Sequence, residues 1–501
     1  WQPHRGMGYF VLSSNRELLS WFCITSFTES LIAKLRKPLK RRDLLKWSGL
    51  LATTPFLKYS SVRAEDPQRI VEFELTAKES VQNLAGPEYP DTRLWLYNDR
   101  LGGPFLKARQ GDLLQVRFRN QLPVPSTIHW HGIRNVNAMD GVAGLTQDPV
   151  PPGGEFTYTV PLEDAGTYWY HAHTMAWEQV ARGLYGPLIV QGKNDIEVDQ
   201  ELVLIMDDWR LDENAQIDEA SFGNMHDWSH NGRLGSWFTI NGRLQPQFPI
   251  SGGSRLRLRL INAANARTMR LRLSGAQGTV IALDGYPCEP FSLEERGLEL
   301  ATAQRMDVLV DAGPDAFKLQ EVSTNQTLTA ASFVPDATTR FSFPRPALRL
   351  PKVSLPSLDL QQARRIPIHM QGGAMGNLRE VSYQGETIPL QEAARQYQKV
   401  WAFNGEMMQS TSRIADLKLG EWVALELWND TAWPHAMHLH GHHFWIEQKG
   451  SILPQKRDTY LMDVGEQARL FFVADNPGLW LFHCHMLEHH VSGMGGVFSV
   501  S

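Results

Sequence analysis

Cysteine is nearly absent: three residues in a chain of 501. One of them, Cys23, lies in an N-terminal stretch that reads as a removable leader, which leaves Cys288 and Cys484. Two thiols cannot build a disulfide framework, so the fold must rest on a packed interior. Net charge is also close to balance, with 49 Lys and Arg against 54 Asp and Glu, or −5 overall. A chain this long with so small a charge has no basic field of the kind that nucleic acids attract, and that partner class is excluded. Beyond the leader no apolar run reaches about eighteen residues, so the mature chain has no membrane anchor in its sequence. Helical patterning is scarce too, and Gln391–Lys399 is the one mature segment that reads as a short helix.

What the chain does have is histidine in clusters. Ten of the seventeen histidines fall into four short groups: His129-Trp130-His131, His171-Ala172-His173, His435-Ala436-Met437-His438-Leu439-His440, and His483-Cys484-His485 followed by His489. Met494 comes ten residues after the cysteine. A thiolate and two imidazoles with a weak thioether on the axis form the blue-copper donor set, which suits one-electron transfer. Cys484, His489 and Met494 supply three of those ligands, and His435, the histidine outside its cluster's His-x-His pair, supplies the fourth. If Leu479–His485 is a strand, Cys484 points to one side while His483 and His485 point to the other. The four His-x-His pairs then bring eight imidazoles together, enough for three further metal ions. Cys288 remains, and it reads as a small buried hydrophobe.

The clusters sit in a repeat. Gly111–Asn120 parallels Gly420–Asn429, and each is followed nine residues later by the first His of a His-x-His-Gly, His129 or His438. Gly166–His173 likewise parallels Gly478–His485, with Ala172 where Cys484 stands, so only the last module can hold a blue copper. Between them Gly253–Asn262 keeps the spacing, but Leu271 and Leu273 follow where histidines would, and this middle module has lost its metal. Period-two alternation with Gly and Pro turns predicts half-buried antiparallel strands throughout.

In order and spacing, HWH, HAH, HAMHLH and HCHMLEH followed by Met494 resemble the multicopper oxidases, laccases and bacterial cuprous oxidases included, over roughly residues 66–501. The resemblance implies an all-β fold of three cupredoxin-like Greek-key β-sandwich domains. Their expected bounds are 65–195, 196–350 and 351–501, with the proline-rich Pro344–Pro356 as the longer linker. It also implies four copper ions: a type 1 copper on His435, Cys484, His489 and Met494, a type 2 copper on His129 and His438, and a type 3 pair on His131, His171, His173, His440, His483 and His485. The reaction implied is one-electron oxidation of a reductant, with dioxygen reduced to water. A Met axial ligand is expected to hold the type 1 potential toward the lower part of the family's range. Asp140 matches an acidic residue near the cluster in related enzymes and is a candidate proton relay, an Asp-Gly turn being the plain alternative. Some relatives place a second acid where this chain has His490. His442, His443 and His490 match no ligand position and stay outside the copper set.

The region where cuprous oxidases carry a methionine-rich insert offers only His369, Met370 and Met375, with Met407 and Met408 further on. Without the insert the type 1 site is expected to be more open to bulky donors, which favours a phenol or aromatic amine over Cu(I). A copper-sequestering or structural envelope protein without turnover is the alternative from another class, and the complete ligand set in the first and third modules weighs against it. Finally, Arg41-Arg42, the apolar stretch Trp47–Leu57 and Val62-Arg63-Ala64 resemble a twin-arginine signal cleaved after Ala64. Residues 1–64 are thus expected to be an extension and leader read by the twin-arginine export machinery, placing the protein in the periplasm or outside the cell.

Overall fold

The three Gly-to-Asn repeats become three equivalent central strands, Leu113–Asn120, Arg255–Asn262 and Glu421–Asn429. The structure is a computed structural model that describes residues 68–501 apart from 294–296, 325, 341–349, 351, 352, 354, 356–361, 410 and 449. The leader, Cys23 and most of the Pro344–Pro356 stretch lie outside the described residues. Each central strand has one parallel neighbour, Ile70–Gln82, Gln200–Trp209 or Arg364–Gly372, and one antiparallel neighbour, Glu155–Pro161, Arg305–Asp311 or Gln467–Ala474. The pairing is therefore mixed where the alternation predicted antiparallel strands alone. A parallel neighbour requires the chain to leave the sheet and return, which local patterning cannot reveal.

A second sheet faces each of these. In the first stretch Ile128–His131 pairs with Gly166–Ala172, beside Tyr185–Gln191 and Leu106–Arg109. In the last, His435–Leu439 lies between Thr459–Met462 and Gly478–Cys484, followed by Gly495–Val500 and Arg413–Leu417. Apolar side chains from both sheets fill the space between them: Leu75, Val116 and Phe118 meet Ile128, Trp130, Tyr168 and Leu188 in the first core. Facing sheets with one shared core are the sandwich architecture expected. In the middle stretch Met269–Ser274 takes the place of the histidine strands, and Leu271 there is buried core.

The asparagine that ends each repeat does the same work three times. Asn120 donates to the carbonyls of Val124 and Val150 at 2.8 Å, Asn262 to those of Arg267 and Leu300 at 2.8 and 2.9 Å, and Asn429 to those of Trp433 and Asp463 at 2.8 and 2.9 Å. Each side-chain carbonyl also accepts from the N–H two residues on. These bonds hold the loop that leads to the next strand, and in buried surroundings each contributes about 1 kcal/mol.

One central strand departs from the half-buried reading. Arg255–Asn262 is buried on both faces, arginines included. Arg257 is paired with Asp307 at 2.7 Å and Asp195 at 2.6 Å, and Arg259 with Glu201 at 2.8 Å. Arg259 also donates to Thr167 at 2.8 Å, where the first stretch packs against the middle one. Charged side chains tolerate that burial only because each has a carboxylate partner. The expected helix is present as Leu390–Tyr397, and a second short helix, Leu487–Val491, carries His489.

Candidate metal centre

Strand alternation places the ligands as the spacing predicts. His129 and His131 leave the same face of Ile128–His131, and His129 sits opposite His171 in the neighbouring strand. His438 sits opposite His483, and Met437 opposite Cys484. All eight histidines of the four pairs converge on one buried space. His440 Nε2 lies 3.1 Å from His483 Nε2, and His485 Nε2 lies 3.4 Å from His171 Nε2. The rings of His129 and His440 stack at 3.9 Å, and those of His131 and His438 at 3.8 Å. His173 groups with His440 and His483.

The outward nitrogens decide which atoms face inward. Nδ1 donates to a main-chain carbonyl in His129 (Asp140, 2.8 Å), His438 (Asp458, 2.8 Å), His171 (Ala172, 3.0 Å) and His483 (Cys484, 2.9 Å). His440 Nδ1 donates to the Asp140 carboxylate at 2.8 Å. Each such bond fixes the tautomer and leaves the Nε2 lone pair pointing inward. His131 is turned the other way, with Nε2 3.2 Å from Asp458 Oδ1. His129 Nε2, His438 Nε2 and His131 Nδ1 are buried without a hydrogen-bond partner. Three orphaned ring nitrogens in one dry space are costly unless an ion receives them, and this donor set fits copper.

A second group forms 3.6–3.7 Å from the Cys484 sulfur, where His435 Nδ1 and His489 Nδ1 approach it and lie 3.1 Å from each other. Here too the far nitrogens are tethered. His435 Nε2 meets Thr431 Oγ1 at 2.9 Å, and His489 Nε2 donates to the His230 carbonyl at 2.8 Å. Met494 is buried in the same core as Cys484, and its carbonyl accepts from the Cys484 N–H at 3.0 Å. Burial pushes the Cys484 thiol up to about 12, so a soft metal ion must displace its proton on binding. All twelve predicted ligand residues are thus buried in two groups joined at His483-Cys484-His485.

Asp140 is also placed. It follows the short turn Asn137–Met139, and it holds two ligand histidines, His129 by its carbonyl and His440 by its carboxylate. The next residue must be glycine: Gly141 has φ +81°, and a Cβ there would meet the Ile128 carbonyl at 1.8 Å, directly behind His129. Of the histidines outside the set, His443 bonds the Gly132 carbonyl at 2.8 Å, His442 packs against Phe472 and Trp480, and the His490 ring lies 4.2 Å from that of His483. The spacing gave no sign of Asp458, Arg305, Thr431 or His230. Asp458 binds His131 and His438 and is held by Arg305 at 2.8 Å, a guanidinium from the middle stretch.

The surroundings of His435, Cys484 and His489 differ from the expectation of an open site. His435, Cys484 and His489 have no exposed surface, and the His230 carbonyl lies against the outer nitrogen of His489 at 2.8 Å. Burial and mutual repulsion hold the imidazoles of His131, His171, His173, His440, His483 and His485 well below the ordinary 6.5, and burial takes His438 and His489 down to about 3. These rings stay neutral in the folded chain while the unfolded chain takes up protons below 6.5. Their contribution to stability is therefore complete above that value and lost as the pH falls toward about 3. The thermal midpoint of the copper-free protein should fall steadily between about pH 7 and about pH 4. A midpoint independent of pH over that interval would contradict the assigned burial.

Known proteins resemble this chain in sequence and fold. The multicopper oxidase family matches the chain in three parts, over residues 80–195, 200–334 and 384–501. A multi-copper oxidase from Pseudomonas thermotolerans is 32% identical, with 87% of this chain and all of that one covered and a TM-score of 0.72. A multicopper oxidase from Campylobacter jejuni, described as a metallo-oxidase, is 28% identical over 87% of this chain and 93% of that one, with a TM-score of 0.71. Multicopper oxidase MmcO of Mycobacterium tuberculosis is 28% identical over 89% of this chain and 90% of its own length. The chain belongs to the multicopper oxidases, copper-binding oxidoreductases that oxidise a reductant with dioxygen.

Proposed function

We propose that the chain is a laccase-like oxidase that draws single electrons from a phenolic or aromatic amine donor and reduces dioxygen to two waters. The observation that carries the oxidase reading is the junction at Cys484, whose sulfur lies beside His435 and His489 while its chain neighbours His483 and His485 reach into the eight-histidine space. His435, Cys484, His489 and Met494 would hold a type 1 copper, His129 and His438 a type 2 copper, and His131, His171, His173, His440, His483 and His485 a type 3 pair. Bound there, four coppers would supply one-electron oxidation at one end and four-electron reduction of dioxygen at the other.

The chain's own groups do the rest. Tethered outer nitrogens keep the rings in one tautomer, and burial keeps bulk water out of the cluster. Asp140 is assigned to proton delivery, since one carboxylate oxygen holds His440 and the other has no hydrogen-bond partner in a buried site. Residues 65–195, 196–350 and 351–501 are assigned as the three domains, and residues 1–64 as an extension with a twin-arginine leader that directs export to the periplasm or beyond. Cu(I) is the second reading, and the burial of His489 favours it, since a small ion needs less open surface than a ring does.

Oxygen uptake by the copper-loaded protein, measured in parallel with 2,6-dimethoxyphenol and with Cu(I), separates the two. Faster uptake with the phenol supports the first reading, faster uptake with Cu(I) the second, and none with either contradicts both. In the same assay Asp140→Asn should slow turnover by about 10- to 100-fold with copper content unchanged. Unaltered turnover would remove Asp140 from the proton path.

A further inference from the structure

The type 1 ligands present no edge to solvent. His489 is fully buried, and the nitrogen that would face outward donates to the His230 main-chain carbonyl at 2.8 Å. A donor molecule therefore cannot touch either imidazole. The covering element is the short helix Met225–Ser229 with His230, from the middle stretch of the chain. It is fastened from the last stretch: Trp401 Nε1 donates to the Trp228 carbonyl at 2.8 Å, and the Ala374 N–H to that of Ser229 at 2.7 Å. Trp433 Nε1 in turn donates to the Ala374 carbonyl at 3.0 Å.

This cover presents one ring to the outside, with two half-buried rings behind it. The His226 side chain is 73% exposed. Its ring lies face to face with that of His230, with centroids 3.9 Å apart and planes 11° apart, and His230 is 5.1 Å from the Trp433 ring. His230 is also the residue whose carbonyl bonds His489, so one residue belongs both to the outer stack and to the contact with the metal ligand. The neighbouring carboxylate, Asp227, is engaged by Arg210 at 2.5 Å and lies 3.9 Å from His226 Nδ1.

Resting on the reading of the chain as an oxidase of aromatic donors, we propose that the His226–His230–Trp433 stack is the donor-docking platform, with electron uptake running through the His230 carbonyl to His489. A planar neutral phenol lies against the exposed His226 ring, which is backed by half-buried His230, where offset stacking is favourable. Each of four phenols loses one electron inward and its hydroxyl proton to solvent, becoming a phenoxyl radical. Dioxygen accepts the four electrons with four protons and leaves as two waters, so the family's own oxidant closes the balance. His226 and His230 thereby determine specificity by ring stacking, with no direct contact between donor and copper ligand.

The test compares His226→Ala and His230→Ala with the unaltered copper-loaded protein. The second substitution keeps the main-chain carbonyl that His489 needs. The KM for 2,6-dimethoxyphenol should rise about fivefold in each, kcat should stay within about twofold, and the KM for hexacyanoferrate(II), which has no ring to stack, should hold. Calorimetric binding of 4-nitrophenol should weaken by a similar factor, while the blue absorption stays unaltered. Unchanged phenol KM and unchanged 4-nitrophenol binding overturn the inference, as does an equal rise for both reductants. If the unaltered protein oxidises Cu(I) but no phenol, the donor-class reading fails instead, and that result is distinguishable because it appears before any substitution is made.

Discussion

Eight imidazoles buried together around one space are the constraint on which the rest of this molecule depends. Water would satisfy their inner nitrogens individually, but a packed interior excludes it, so orientation has to come from the other ring nitrogen of each histidine. The protein supplies it largely from the main chain: the carbonyls of Asp140, Ala172, Asp458 and Cys484 receive four of the eight rings. A carbonyl only accepts, which fixes the proton on the outer nitrogen and frees the inner one. The strands are thus both scaffold and orienting shell, and the geometry persists wherever the sheets do.

Carboxylates complete this arrangement and tie the three stretches of chain to one another. Asp140 links a ligand of the first stretch, His129, to one of the last, His440. Asp458 links His131 to His438 and is neutralised by Arg305, whose strand belongs to the middle stretch. A module without copper ligands therefore still serves the cluster, by holding a buried carboxylate ionised and in place. Removing that guanidinium would leave an uncompensated buried charge, a change that typically costs about 3–5 kcal/mol. The middle stretch serves the other site as well, because His230 covers His489.

What could be read from the sequence is what is local. The His-x-His pairs and the Cys484 between two histidines express a period of two, and the repeated Gly-to-Asn stretches became strands, as their spacing predicts. The groups that escaped act across long separations: Asp458 lies 327 positions from His131, Arg305 lies 153 from Asp458, and His230 lies 259 from His489. No spacing rule joins such residues. The same limit explains two departures in the fold. The alternating arginines of Arg255–Asn262 read as a solvent face, yet that face meets acidic partners and Thr167 from the first stretch. The absence of a methionine-rich insert suggested an open type 1 site, yet a segment some 250 positions earlier in the chain closes it.

The division of twelve ligands into one mononuclear and one trinuclear group is the central claim, and metal counting with spectroscopy tests it most directly. The copper-loaded protein should bind four coppers and show the intense absorption of a copper thiolate. Cys484→Ser should bind three and lose that absorption, while the eight-histidine cluster keeps its paramagnetic copper signal. Loss of all four coppers in a folded Cys484→Ser protein, or retention of the blue absorption, would contradict the account.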